Sequence, residues 1–244
     1  MKRFWLGAFF ALVMFCLAPQ SLRAQEDDVD SLAGIQQALH NLSALLAGEW
    51  QPPDVRVEMT RTEDGAFLLG DPDAPVTLVE FADFACPHCQ AYRPAISQFI
   101  ESYVETGMAR LEFRFFPTAG GEQTVLAARA AECVDEQAAG AFWQAHDLLY
   151  TYATSSRYDE QIPQRLAEDL SLNAELLLAC METANQVERD VALGHELGVS
   201  GTPAVLIRYG DGTARFIELD GRTYRNGGPH FGVLSYAVEQ GQYR

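Results

Sequence analysis

The sequence predicts an α/β domain with a long helical insertion and an N-terminal helical extension. Three observations lead to this prediction. A nearly continuous apolar run over 76–81 is followed closely by a dithiol and a helical pattern, and residues 121–197 carry helix-period apolar residues without a strand pattern. Strand patterns then resume at Ala204–Tyr209.

The N-terminus resembles a secretory signal peptide. Lys2 and Arg3 precede an apolar run of 15 residues over 4–18, and small or polar residues then lead to Ala24. Since a membrane-spanning helix needs about 20 apolar residues, we expect cleavage after Ala24 and an exported, periplasmic protein. Leu22 stands where a small residue is usual, and a membrane-anchored form is therefore the alternative.

The charge of the chain excludes one class of partner. The formal net charge is −17, and removal of residues 1–24 would take away three basic residues and no acidic one, leaving −20. Because nucleic-acid binding depends on basic side chains that neutralise phosphates, we predict no nucleic-acid partner. The remaining 220 residues fit one domain with an insertion.

Residues 28–48 form a predicted helix with a heptad-like apolar seam. The seam consists of Leu32, Ile35, Leu39, Leu42 and Leu46. It is about two heptads long, shorter than the three or four that define a coiled coil. The helix therefore either packs on its own domain or joins copies of the chain into a homo-oligomer. Gln51-Pro52-Pro53 ends it, because proline cannot donate to the helix ladder.

The predicted organisation is a signal peptide over 1–24, a helix and linker over 25–53, and a domain over 54–244 with its insertion at about 121–197. Val55, Val57 and Met59 alternate as in an edge strand. The nearly continuous apolar run over 76–81 indicates a strand that is buried on both faces. A helix then follows to about residue 105, and a strand over 111–115 completes a βαβ unit.

The insertion and the C-terminal part continue with helices and a hairpin. The predicted helices are Thr124–Gln137, Ala141–Tyr152, Ile162–Asp169 and Ala174–His195. An Asp-Gly turn at 211–212 predicts a hairpin between Ala204–Tyr209 and Ala214–Leu219, and Phe231–Val238 is a closing helix.

The dithiol is the candidate redox centre. At a helix start, unsatisfied backbone N–H groups and the helix dipole favour a thiolate, so Cys86 is the predicted nucleophile. Pro87 suits the first helical turn, and His88 would stabilise the thiolate further. Cys89, one turn deeper, is the predicted resolving thiol. Zinc binding is an alternative, but structural zinc usually takes four ligands, and we predict no metal.

Two groups of polar residues need separate interpretation. Glu80 interrupts an apolar strand six residues before Cys86. Either it faces outward, or burial raises its pKa and suits it to exchange a proton with Cys89. His40, His146, His195 and His230 have no cysteine or acidic partner at a spacing that indicates catalysis, and we assign them no role.

Over roughly residues 66–240 the sequence resembles the DsbA family of the thioredoxin superfamily. The resemblance rests on Glu80-Phe81, on Cys86-Pro87-His88-Cys89, and on the segment from Val199 to Pro203 before a strand. It implies a thioredoxin-like fold in which a cis bond at Thr202-Pro203 faces the dithiol and the Thr202 backbone binds an extended substrate strand.

The resemblance also bears on the second cysteine pair. Cys133 and Cys180 lie on apolar helix faces, where each alone would pass as a small buried residue. In an oxidising compartment two such cysteines on neighbouring helices tend to pair, and DsbA-like proteins with a cysteine pair in the helical insertion resemble this arrangement. The resemblance therefore implies a structural Cys133–Cys180 disulfide.

These features predict an exported dithiol oxidase without a cofactor beyond the Cys86–Cys89 disulfide. It would oxidise cysteine pairs in exported proteins through a mixed disulfide at Cys86, and a membrane partner would reoxidise it. The alternatives are an oligomeric disulfide isomerase or reductase, for which the seam in residues 28–48 speaks, and a metal-binding or structural thioredoxin-like module.

Overall fold

The computed structural model describes residues 57–242. The predicted signal peptide over 1–24, and the helix and linker predicted over 25–53, lie outside these residues. None of the described helices has the length and apolar character needed to cross a membrane.

The central sheet has six strands. They are β1 (Glu58–Arg61), β2 (Phe67–Gly70), β3 (Val76–Ala82), β4 (Arg110–Phe115), β5 (Ala204–Tyr209) and β6 (Arg215–Phe216), in the spatial order β1-β2-β4-β3-β5-β6. β3 and β4 are parallel, and the other neighbouring strands are antiparallel. A second, two-stranded sheet pairs β7 (Glu218–Leu219) with β8 (Arg222–Thr223).

Seven helices surround the sheet in the described part of the chain. They are α1 (Pro87–Phe99), α2 (Glu122–Gln137), α3 (Phe142–Thr154), α4 (Ile162–Asp169), α5 (Ala174–Met181), α6 (Gln186–Glu196) and α7 (Phe231–Gln242). α1 continues into a π-helical turn over Ile100–Val104. Helices α2 to α6 separate β4 from β5, so the α/β class and the helical insertion are confirmed.

Strand β3 places a polar side chain, that of Glu80, in the core. All seven of its residues are buried, because the strand has a neighbour on each side and apolar layers on both faces. Side chains alternate between the two faces of a strand. Leu78 and Ala82 enter the larger core with α1, whereas Val79 and Phe81 enter a smaller core on the opposite face. Glu80 therefore faces the larger core.

The predicted helix Ala174–His195 is wrong in one respect, because the structure divides it into α5 and α6. The Cys180 carbonyl accepts hydrogen bonds from the N–H groups of Thr183 and Ala184 and from the Thr183 hydroxyl. A threonine hydroxyl that bonds to nearby backbone competes with helix continuation. The apolar spacing runs through this turn without glycine or proline, so the pattern showed no break.

The predicted strand Ala214–Leu219 is also divided. Arg215 and Phe216 pair with β5 as expected, but β7 turns away and pairs with β8. Asp220 and Gly221 between them have φ values of 52° and 74°. Positive φ at both central residues is typical of a tight hairpin turn, so this second Asp-Gly pair joins β7 to β8 as a separate hairpin.

A buried ionic cluster ties the helical insertion to the sheet. Arg114 on β4 lies within 2.9 Å of Asp190 on α6 and within 2.6 Å of Glu112 on its own strand. Asp64, in the β1–β2 turn, also contacts Arg114, at 2.8 Å. The Phe115 N–H donates to Asp190 as well. Because removing one partner of a buried ion pair leaves an uncompensated charge, the cluster holds α6 against β4.

Candidate active site

Cys86 and Cys89 lie at the N-terminus of α1, just beyond the end of β3. Cys86 is the N-cap residue and Pro87 stands in the first helical turn, where its missing N–H costs nothing. Both thiols are free, and both residues are buried, with exposures of 5% and 1%. The dithiol therefore occupies the strand-to-helix junction that the sequence pattern indicated.

The two sulfur atoms have opposite ionisation behaviour. Burial opposes ionisation of Cys86, but hydrogen bonds from the Thr202 side chain and from the backbone N–H groups of Cys89 and His88 lower its pKa overall. Burial, reinforced by the negative charge of Glu80, raises the pKa of Cys89 far above its ordinary value. Cys86 is thus the thiol that ionises first, and Cys89 stays protonated.

The loop before β5 brings a distant part of the chain onto Cys86. The Thr202–Pro203 peptide bond is cis. The Cys86 Sγ lies 3.5 Å from the Thr202 carbonyl oxygen, 116 residues away in sequence. The structure therefore brings together two of the three motifs on which the family resemblance rests.

His88 contributes differently from the expectation. It is exposed on the first turn of α1, and the group that lowers the pKa of Cys86 is its backbone N–H. This effect follows from the helix N-terminus, whose first N–H groups have no partner within the helix. A role for the imidazole stays a prediction.

Glu80 is buried behind the dithiol. It is 3% exposed, on the face of β3 that packs against α1. Burial raises the pKa of Glu80 to about 8, although the positive charge of Arg93 acts in the opposite direction. Glu80 is therefore mostly protonated at neutral pH and has a pKa suited to proton transfer.

A cavity of about 230 Å³ extends from Glu80 between α1 and α3, and its walls include Arg93, His146 and Asp147. Asp147 accepts a hydrogen bond of 2.8 Å from Arg93 and lies 3.1 Å from the His146 Nδ1. None of these three residues was expected at the site. His146 and Asp147 are adjacent in sequence, but only the packing of α3 against α1 places them opposite Glu80.

Asp83 is a further residue that sequence reasoning missed. It is 3% exposed and lies between β3 and Cys86, and its backbone carbonyl accepts a 3.0 Å hydrogen bond from the Cys86 N–H. An acidic residue in the otherwise apolar segment between Ala82 and Phe84 was the available signal.

The second cysteine pair lies in the helical insertion. Cys133 on α2 and Cys180 on α5 form a disulfide with a Cα–Cα distance of 5.8 Å. The two cysteines are 47 residues apart in sequence, so the bond closes a long segment of the chain that contains α3 and α4. Among residues 57–242, no group of three or more histidine, cysteine or acidic side chains has the arrangement of a metal site.

The sheet order, the helical insertion and a helix-capping dithiol beside a cis-proline define a protein of the thioredoxin superfamily. A family model described as Thioredoxin matches residues 62–211. The probable disulfide bond formation protein D of Bacillus anthracis is 31% identical over 153 residues, which cover 57% of this chain and 68% of that protein. The chain belongs to the thioredoxin family, in its DsbA-like branch.

Solved structures show the same fold at low sequence identity. Oxidised BdbD from Bacillus subtilis aligns with a TM-score of 0.60 and 22% identity, covering 78% of this chain and all of that one. Wolbachia pipientis alpha-DsbA1 aligns with a TM-score of 0.60 and 22% identity, covering 74% and 92%. The predicted thioredoxin-like fold is therefore confirmed.

Another similarity concerns much longer proteins. The Na(+)/H(+) antiporter NhaA 3 of Salinispora tropica is 36% identical over 148 residues, which cover 59% of this chain and 22% of the antiporter. The chain thus spans only about a fifth of the length of the antiporter that it matches.

Proposed function

We propose that this chain is a protein thiol-disulfide oxidoreductase that introduces disulfides into exported proteins. The observation that carries the proposal is the Cys86 sulfur at the start of α1, 3.5 Å from the carbonyl of Thr202 in the cis-proline loop. A thiolate-favouring environment stabilises the reduced form, and a dithiol that is stable when reduced forms an oxidising disulfide.

The reaction begins with the oxidised Cys86–Cys89 pair. A substrate thiolate attacks the Cys86 sulfur, the Cys86–Cys89 bond breaks, and Cys89 leaves with the electron pair. Because the pKa of Cys89 is strongly raised, its sulfur takes up a proton, which the protonated Glu80 supplies. A second substrate thiolate then attacks the substrate sulfur of the mixed disulfide, and Cys86 leaves as a thiolate.

The products are an oxidised substrate and a reduced dithiol, so two electrons have moved from the substrate to Cys86 and Cys89. A membrane partner would take these two electrons, while Cys89 returns its proton to ionised Glu80. The cis-proline loop would align an extended substrate segment, with the backbone of Thr202 as its hydrogen-bonding partner. Protein substrates with exposed cysteine pairs fit this binding mode, since it recognises the main chain of the substrate more than its side chains.

Two further lines support the direction and the compartment. The Bacillus relatives carry the name disulfide bond formation protein D, and the N-terminal pattern of Lys2, Arg3 and the apolar run over 4–18 is that of exported proteins. The rival direction, an oligomeric isomerase or reductase, is favoured by the apolar seam in residues 28–48.

One experiment separates the two directions. The chain without residues 1–24 is equilibrated in glutathione buffers and then added to a reduced or a scrambled disulfide substrate. We expect fast oxidation of the reduced substrate and little repair of the scrambled one. A strongly reducing potential, or repair with little oxidation, would contradict the oxidase proposal.

Two cysteine variants provide controls within the dithiol. Cys86→Ser should abolish the reaction, because the attacked sulfur is gone. Cys89→Ser keeps the nucleophile but cannot form the internal disulfide, so it should not oxidise reduced substrate. With the scrambled substrate, its Cys86 thiolate attacks a substrate disulfide and one substrate thiolate leaves. Because no Cys89 thiol is present to displace the substrate, the mixed disulfide should accumulate and be visible by mass spectrometry. Unchanged activity of Cys86→Ser would contradict the whole class of function.

A further inference from the structure

The carboxylate of Asp83 collects hydrogen bonds from three separate segments next to the dithiol. Its Oδ1 accepts from the Ala85 N–H at 2.9 Å and from the Thr124 hydroxyl, at the start of α2. Its Oδ2 accepts from the N–H groups of Thr118 and Ala119, at 2.7 and 2.6 Å. Asp83 therefore fastens the Cys86 loop, the loop after β4 and the first turn of α2 to one another.

The loop after β4 carries this arrangement on to the cis-proline loop. The Thr118 hydroxyl lies 2.6 Å from the Thr202 hydroxyl and 3.5 Å from Asp83 Oδ2. The backbone N–H groups of Thr118 and Ala119 both bond to Asp83, so the Thr118 side chain is held opposite Thr202. A chain of contacts thus runs from the buried Asp83 through Thr118 to Thr202 and Cys86.

The directions of these hydrogen bonds follow from the donors available. A hydroxyl has one hydrogen to donate and can accept two others. The oxygen of Asp83 near Thr118 already accepts two backbone N–H groups at short distance. We therefore assign the Thr118 hydroxyl as the donor to the much closer Thr202 oxygen. This leaves the hydrogen of Thr202 free for the Cys86 sulfur, which lies 3.5 Å from the carbonyl oxygen of the same residue and whose pKa is lowered by the Thr202 side chain.

We propose that Asp83 and Thr118 are positioning residues that hold the Thr202 hydroxyl as a hydrogen-bond donor to the Cys86 thiolate. The inference deepens the proposed oxidoreductase function and rests on it. Thr118 acts in two ways: it fixes the rotamer of Thr202, and its donation polarises the Thr202 hydroxyl, which makes that hydroxyl a stronger donor. Since the thiolate exists only in the reduced enzyme, the chain Asp83–Thr118–Thr202 favours the reduced state and makes the disulfide more oxidising.

The main test removes one hydroxyl without changing the shape of the side chain. Thr118→Val should raise the pKa of Cys86 by about 0.5 to 1 unit. The equilibrium constant for oxidation of glutathione by the disulfide should fall roughly three- to tenfold. Thiolate ultraviolet absorbance against pH gives the first quantity, and equilibration in glutathione buffers gives the second. Thr118 is exposed, so the variant is expected to fold.

Two controls separate positioning from a general structural effect. Thr118→Ser restores the hydroxyl and should return both quantities toward the wild-type values. Thr106→Val removes an exposed hydroxyl that bonds to the backbone of Ser102 and Tyr103 in the turn after α1, and it should leave both quantities unchanged. Unchanged values for Thr118→Val, or an equal shift in Thr106→Val, would overturn the proposal.

A double-mutant cycle tests whether Thr118 acts through Thr202. In a Thr202→Val background, Thr118→Val should have no further effect on the pKa of Cys86, because the donor that it positions is already absent. An undiminished effect in that background would overturn the proposal. Asp83→Asn, which replaces one accepting oxygen by a donor facing backbone N–H groups, should shift the pKa in the same direction as Thr118→Val.

These measurements remain informative if the oxidase assignment fails. The pKa of Cys86 and the glutathione equilibrium are measured without a protein substrate, whereas the proposed function is tested with reduced and scrambled substrates. A chain that fails to oxidise substrates but shows the Thr118-dependent shift would contradict the function alone. Normal oxidation without that shift would contradict the positioning role alone.

Discussion

Single residues show both what the sequence could reveal at the site and what it could not. Glu80 was predictable as a candidate site residue, because a carboxylate within an otherwise apolar strand is visible in the sequence itself. Arg93 and His146 were not, because they lie on different helices and become neighbours of Glu80 only when α1 and α3 pack together. Tertiary contacts of this kind leave no periodic signal.

The raised pKa of Glu80 leads to a prediction about stability and pH. A carboxyl whose pKa is higher in the folded state releases its proton more readily on unfolding, so stability falls as the pH rises between the two pKa values. For Glu80 this window extends from 4.5 to about 8. We expect a loss of up to about 5 kcal/mol over this window in the reduced protein.

Glu80→Gln removes the titrating group and should flatten this part of the pH profile. The measurement is the free energy of unfolding in urea at a series of pH values, taken for wild type and variant. Glu63→Gln, at an exposed position, serves as the control and should follow the wild-type curve. If the wild-type and Glu80→Gln curves run parallel between pH 4.5 and 8, Glu80 does not have a raised pKa.

Among the helices and strands, the sequence predicted those whose apolar pattern follows directly from which of their faces are buried. The apolar run of β3, the alternation in β4 and the periodicity of α2, α3 and α4 all follow from one buried face or two. β2, Phe67–Gly70, was not identified, since four residues are too few for a periodic pattern. The break between α5 and α6 was missed because side-chain to backbone bonds at Cys180 interrupt the helix without a breaker residue.

The disulfide between α2 and α5 allows a prediction at this scale. Replacing both cysteines, in Cys133→Ala/Cys180→Ala, should lower the free energy of unfolding by about 2 to 4 kcal/mol, because the unfolded chain regains the freedom of a long loop. Urea unfolding measures the loss. The pKa of Cys86 should stay at its wild-type value, which shows that the fold around the dithiol is intact.

The comparison with reduced wild type sharpens this prediction. Strong reductant should lower the stability of wild-type protein toward that of the double variant and should have no such effect on the variant itself. Equal stability of wild type and variant without reductant would show that the bond does not contribute to the folded state.

For the whole molecule, the chain order of strands, dithiol helix, helical insertion and returning strands was enough to predict a thioredoxin-like α/β fold. The sequence could not show that the chain leaves the six-stranded sheet after Phe216 and forms a second sheet, since β7 and β8 have two residues each. The role predicted for residues 28–48 concerns the assembly of whole chains and stays a prediction.

The sheet, both apolar cores, the dithiol and the cis-proline loop all lie within residues 57–242, and residues 55–244 form one compact unit. A chain of residues 55–244 should therefore fold in a single cooperative transition and keep the Cys86 pKa of the longer chain. Removing the next strand is the matched control. A chain that starts at residue 66 lacks β1, so β2 loses its antiparallel partner and Arg114 loses Asp64.

The chain that starts at residue 66 should be less stable than the 55–244 chain by several kcal/mol. It lacks both the Asp64 partner of Arg114 and the pairing of β1 with β2. Urea unfolding, followed by circular dichroism, measures the stability of both chains, and sedimentation gives their masses.

Monomers of residues 55–244, compared with a larger species when residues 25–54 are present, would assign self-association to the heptad-like seam. An unfolded 55–244 chain, or a shifted Cys86 pKa in it, would instead show that residues 25–54 support the catalytic domain.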